Sequence, residues 1–224
     1  MQTLLSLILA MVALLTLTAP AQTLNWGSEA FSDLRDSDGN VWDNSYVLEL
    51  GAFNAGFDPT EANVQDWLAN WNVFDHAAYS QANGYFTGTT QMMDNGSSSS
   101  PWLTAGAPSF AGLEGYIWIR NGDLPVPGSQ WLVTRASTWV FSSPIPGCCD
   151  NILPTEWSVS DLGAEVPKWG GQGSIDGPGT YTYNDPSTLQ TFTFTNTVIP
   201  EPSSTLLTAL TVVGLLLRRN RSCI

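Results

Sequence analysis

The stretch that most constrains the fold is Gly115-Tyr116-Ile117-Trp118-Ile119-Arg120. Nearly every position in it is apolar, so it has no face to give to water. Its shortness, its aromatic and β-branched content and the Asn121-Gly122-Asp123 hairpin signal after it mark a strand. A strand of this kind belongs in the middle of a sheet that is covered on both sides. Other short aromatic or β-branched runs read as further strands: Tyr46 to Phe53, Gln130 to Arg135, Thr138 to Ser142, Glu156 to Val159, and Thr180 to Asn184 paired with Thr191 to Thr195. Alternation from Leu189 to Thr195 places Phe192 and Phe194 on one face, and Asn184-Asp185-Pro186-Ser187 is a turn. The pattern predicts a mainly β domain, an antiparallel β-sandwich or jelly-roll-like fold.

One amphipathic helix is expected against that sheet. Asp58 suits the N-cap, Pro59 the first helical position and Glu61 a capping box. Val64, Trp67, Leu68 and Trp71 then recur at three- and four-residue spacing, which predicts one apolar face over a helix reaching about Asn70. Asn95-Gly96-Ser97-Ser98-Ser99-Ser100-Pro101 reads as a long surface loop within one domain, and 172–179 as a Gly-rich loop. The body, residues 22–196, is long enough for one domain with its own core. It holds only four Lys and Arg (Arg35, Arg120, Arg135, Lys168) against 19 of the 20 Asp and Glu in the chain, a balance of about −15. Such a surface repels phosphate, which argues against nucleic acid as a partner.

Several constellations carry residues capable of chemistry. Asp36-Ser37-Asp38-Gly39-Asn40-Val41-Trp42-Asp43 crowds oxygen ligands as a Ca²⁺ loop does, with Asp36, Asp38, Asn40 and Asp43 as the candidate donors. The EF-hand register fails, because Gly39 is fourth rather than sixth and Val47 stands in the twelfth place. A polar turn and a Ca²⁺ site of another type both fit. Cys148 and Cys149 are adjacent on a loop, open to a vicinal disulfide, a bridge to another chain, a redox role or free thiols. His76 is the sole histidine, a triad would have to use it, and no Gly-x-Ser-x-Gly elbow points to a Ser partner; its neighbours read as ordinary packing or loop. Any two of the 19 carboxylates could meet in a glycosidase cleft, but no spacing selects a pair. Most of the ten Trp suit a core. Trp102, after Pro101, and Trp169, before Gly170-Gly171, sit in loops and are the candidates for an exposed platform on which sugar rings stack.

The two ends read as targeting segments. Leu4 to Leu17 is an apolar run and Ala19-Pro20-Ala21 a small-residue cleavage site, so residues 1–21 are expected to be a secretory signal peptide, despite an n-region without Lys or Arg. The C-terminal segment, residues 197–224, has three parts: Pro200-Glu201-Pro202, an apolar run from Thr205 to Leu217, and the basic cluster Arg218, Arg219 and Arg221. The run is marginal for a permanent span, which needs about 20 apolar residues, and the arginines hold its end on the cytoplasmic side. In this order the tail resembles the PEP-CTERM sorting signal of bacterial surface proteins, the substrates of exosortases. The resemblance covers only this tail. It implies a transient transmembrane helix, cleavage near Pro200-Glu201-Pro202, and release of the body to the cell surface or extracellular matrix. The expectation is a non-enzymatic protein associated with exopolysaccharide or envelope, needing no cofactor unless Ca²⁺. The alternative is a carbohydrate-active hydrolase on a β-sandwich scaffold.

Overall fold

Tyr116–Arg120 forms a strand in which all five residues are buried. This computed structural model describes residues 21–30, 32–142, 154–163, 165–173, 175–176, 182–183 and 188–195. The expected signal peptide up to Pro20, Cys148 and Cys149, and the whole tail of residues 197–224 lie outside the described residues.

The strands are β1 (Ala21–Gly27), β2 (Asp33–Arg35), β3 (Val47–Phe53), β4 (Trp71–Ser80), β5 (Tyr85–Met93), β6 (Tyr116–Arg120) and β7 (Gln130–Thr134). They continue with β8 (Thr155–Ser158), β9 (Gly171–Gln172), β10 (Ile175–Asp176), β11 (Thr182–Tyr183), β12 (Thr188–Gln190) and β13 (Phe192–Thr193). Eight of them form one curled sheet in the order β13-β7-β6-β3-β4-β5-β1-β8. The order β2-β12-β9 makes a three-stranded sheet, and β10 pairs with β11. Pairing is antiparallel except for β1 with β8 and β12 with β2. The fold is mainly β. Among the described residues no helix is long and apolar enough to cross a membrane.

The position of β6 follows from its composition. Tyr116 and Trp118 project to one side and pack with Phe53, Val64, Trp67, Trp71, Trp131, Val133 and Phe194. Ile117 and Ile119 project to the other and join Leu48, Leu50, Leu132, Phe74 and Trp26. The smaller sheet adds Leu34 and Leu189 to this second cluster. Eight of the ten Trp are buried; Trp102 and Trp169 are the two that are not.

The helix is shorter and differently capped than its spacing predicts. It consists of a 3₁₀ segment, Glu61–Asp66, and one α-helical turn, α1 (Trp67–Asn70). Thr60, not Asp58, is the N-cap, and the Asn63 side chain rather than that of Glu61 returns to the N-cap amide, at 2.8 Å from Thr60 N. Asn63 itself has non-helical angles, φ −116° and ψ 21°, which put a kink in the segment. Val64 and Trp67 are buried, but Leu68 is half exposed and Trp71 opens β4, where pairing with Phe53 takes over from the helical ladder.

Other expectations also change. Thr138 to Ser142 makes one isolated bridge, Glu114 with Val140, and no strand. Of the expected pair Thr180 to Asn184 with Thr191 to Thr195, the described Thr182 and Tyr183 pair with β10 rather than with Phe192 and Thr193. Instead Leu189 and Gln190 lie in the small sheet while Phe192 pairs with Trp131 in the large one, so the chain changes sheets at Thr191. The Ser-rich stretch turns inward rather than lying on the surface, with Ser98 and Ser100 buried.

Candidate functional site

Glu49 is the carboxylate around which one face of the large sheet is arranged. In β3 it lies between His76 of β4 and Trp118 of β6, and Arg120 sits diagonally across from it. Its side chain is 4% exposed. Four donors converge on it. Arg120 grips it with both terminal guanidinium nitrogens, Nη1 on Oε2 and Nη2 on Oε1 at 3.0 Å. Trp71 Nε1 donates to Oε2 at 2.8 Å, and His76 Nε2 lies 2.9 Å from Oε1. Burial alone would raise this carboxyl, but the hydrogen bonds from His76 and Arg120 and their charges outweigh it and hold the pKa at about 2. Glu49 is therefore ionised at any physiological pH, and its acceptor positions are occupied. It cannot serve as a general acid.

A β-bulge makes this cluster possible. Trp71 and His76 are five apart, and in a regular strand they would face opposite sides. Leu50 pairs with Asp75 but Gly51 pairs with Val73, so Phe74 is an extra residue in β4. The inserted residue inverts the alternation and turns both side chains toward Glu49. It also places Phe74 and Asp75 on the other face. There Asp75, 5% exposed, accepts from Trp26 Nε1 at 2.8 Å and from Ser100 Oγ at 2.6 Å. The Trp26 indole reaches Asp75 across Gly88, where any side chain would collide with the ring.

The same loop carries Trp102 to the outer side of the cluster. Ser100 Oγ is the acceptor for Trp102 N at 3.2 Å, and Thr104 bonds to Val73 in both directions. These bonds fix the loop alongside β4. Trp102 then stacks on His76, with ring centroids 4.7 Å apart and planes 14° from parallel. It remains 59% exposed. The chain of contacts runs Trp102, His76, Glu49, Arg120, from an open indole to a buried ion pair. It holds an aromatic face in a set orientation and offers no nucleophile. Arg120 also lies 4.9 Å from the Trp118 ring centre and reaches Asp123 at 3.1 Å.

The other residues singled out from sequence lie elsewhere. Trp169 is half-buried, stacked on Phe194 at 4.1 Å, and its Nε1 donates to Phe192 O. Asp36 accepts from the amides of Asp38 and Asn40 at 2.8 Å and from Asn40 Nδ2 at 3.1 Å. Asp43 accepts from Ser45 N and Oγ, and these bonds lower its pKa. The stretch from Asp36 to Asp43 is a hydrogen-bonded turn, and among the described residues no three His, Cys, Asp or Glu converge on a common point. Sequence reasoning named His76 but not its role, and passed over Glu49 and Arg120. Their only signal was position: a lone Glu inside one apolar strand and a lone Arg closing another. Comparison with protein-family models, curated proteins and solved structures found no match to this chain.

Proposed function

We propose that this chain is an exported surface or matrix protein, sorted by its Pro200-Glu201-Pro202 tail, whose β-sandwich body binds exopolysaccharide without catalysis. In this reading an exosortase removes the tail, Arg218, Arg219 and Arg221 hold it on the cytoplasmic side until then, and the small sheet over the large one is the second layer of the sandwich. The observation that carries the binding role is Trp102, an indole 59% exposed whose back is held against His76. The flat apolar face of a Trp can stack against a sugar ring, and a ring already held in place loses little entropy on doing so. The acidic body supports a partner other than nucleic acid.

The test is co-sedimentation of the full-length chain with the host's exopolysaccharide, with and without Ca²⁺, while reducing ends are measured. Binding without release is expected, and Trp102→Ala should weaken it while leaving the melting temperature within a few degrees. Release of reducing ends would replace this reading with the hydrolase. A Ca²⁺ requirement would return Asp36, Asp38, Asn40 and Asp43 to consideration as ligands. Wild-type binding in the Trp102→Ala variant would remove the platform.

A further inference from the structure

A second feature of the surface differs in kind from the Trp102 platform. Between the loop that follows β3 and the segment that enters β6 lies an open groove of about 600 Å³, within the roughly 300–1,000 Å³ usual for ligand sites. Asp58, Glu114, Tyr116, Arg135, Lys168 and Phe57 line it. Of the four cations in the body, Arg35 is bound to Asp33 and Arg120 is buried against Glu49. The remaining two both stand in this groove, each beside a carboxylate. Arg135 Nη1 lies 2.9 Å from Glu114 Oε1, and Lys168 Nζ lies 3.0 Å from Asp58 Oδ1. Tyr116 donates its hydroxyl to Glu114 Oε2 at 3.0 Å.

The groove thus holds two positive and two negative groups and is formally neutral, on a body of about −15. The carboxylates are the more open partners, with side chains 51% and 76% exposed against 24% and 31% for the cations. Phe57, tilted against Phe53 with ring centroids 5.4 Å apart, adds an aromatic surface to the lining. Gly56 and Gly112 keep the rim open, since nothing stands within 4 Å of where a Cβ would project at either. Donors and acceptors close together, no net charge and a ring surface match a polyhydroxyl ligand. A polyanion would cross the repulsive field of the body and then compete with Glu114 and Asp58 for their own cations.

We infer that this groove binds a neutral oligosaccharide segment, hydrogen-bonded by Asp58, Glu114, Arg135 and Lys168 across the Phe57 ring. The inference rests on the saccharide reading above and narrows it to uncharged sugars. The test is calorimetric titration of the full-length chain with cellohexaose, laminarihexaose and hexagalacturonate at 0.15 M salt. The expected result is binding of a neutral hexaose, with the galacturonate at least about ten-fold weaker. Glu114→Gln and Lys168→Met should each weaken neutral binding about ten-fold, the scale of one hydrogen bond to a charged group. Melting curves check that both variants fold, and Asp58→Asn replaces either that does not. Tighter binding of the galacturonate overturns the inference. So does neutral binding that survives the groove variants but is lost in Trp102→Ala, which would leave the platform reading intact. Co-sedimentation with host polysaccharide but no neutral hexaose binding has the same meaning. No saccharide bound in either assay would overturn both.

Discussion

Replacing Glu49 by Gln isolates the energetic role of the buried cluster. The amide keeps the size of the carboxylate but removes the charge that Arg120, His76 and Trp71 all address. A carboxyl held at about 2 rather than its ordinary 4.5 contributes about 3 kcal/mol to folding at neutral pH. The variant also leaves the buried Arg120 with only the exposed Asp123 as counter-charge, which places the expected loss within about 3–5 kcal/mol. For a domain of this size that corresponds to a melting temperature lower by about 6–12 °C at the low end of the loss. The pH dependence is more diagnostic. Because the folded pKa is depressed, the contribution is complete above about pH 4.5 and is lost as pH falls through about 2. Urea unfolding of both proteins at half-unit steps from pH 6 to pH 2 gives the difference directly. The gap between wild type and Glu49→Gln should shrink by about 3 kcal/mol over that range. A gap that stays constant, or a variant within about 0.5 kcal/mol of wild type at pH 6, would refute the assignment.

Trp67→Ala should destabilise by about 3–5 kcal/mol, because the indole is fully buried and touches Phe53, Trp118 and Trp131; a near-neutral melt would contradict that packing. Gly88→Ala should cost about 1–3 kcal/mol or prevent folding, since its Cβ would stand 2.3 Å from Trp26 Nε1. Loss of stability there should be accompanied by a change in Trp26 fluorescence as the bond to Asp75 breaks, and an unchanged spectrum would count against the geometry. Under the proposed sorting, the mature protein should lack Leu206 to Ile224, and a peptide containing Cys223 in a surface-released form would exclude processing near Pro200-Glu201-Pro202.

What could be read in advance followed strength of pattern. β6 is so uniformly apolar that only a covered central strand satisfies it, and β3, β7 and β8 fall within a residue or two of their predicted spans. β4 and β5 were missed. Asn72, Asp75 and His76 interrupt the apolar run of β4, and five Thr, Gln and Gly positions dilute that of β5. These residues lie in strands because neighbours on both sides pair with them, not because of their own preference. The short helix shows the opposite failure. Its 3.6-residue spacing was real, but Trp71 met the pattern while belonging to a strand.

The amino-acid order alone determined the β class, the burial of most Trp, the acidic surface and the expectation of export, since each depends on composition or on contiguous residues. It also marked Trp102, because a Trp after Pro101 lacks a strand or helix to bury it. The tertiary structure decided what lies behind that ring. His76, Glu49 and Arg120 are separated by 27 and 71 residues from Glu49 outward, and no local rule joins them. Their meeting depends on which strands neighbour β3 and on one inserted residue at Phe74, which reverses the side to which every later side chain of β4 points. The groove has the same origin: Asp58 and Lys168 are 110 positions apart, and only the fold gives them a common wall.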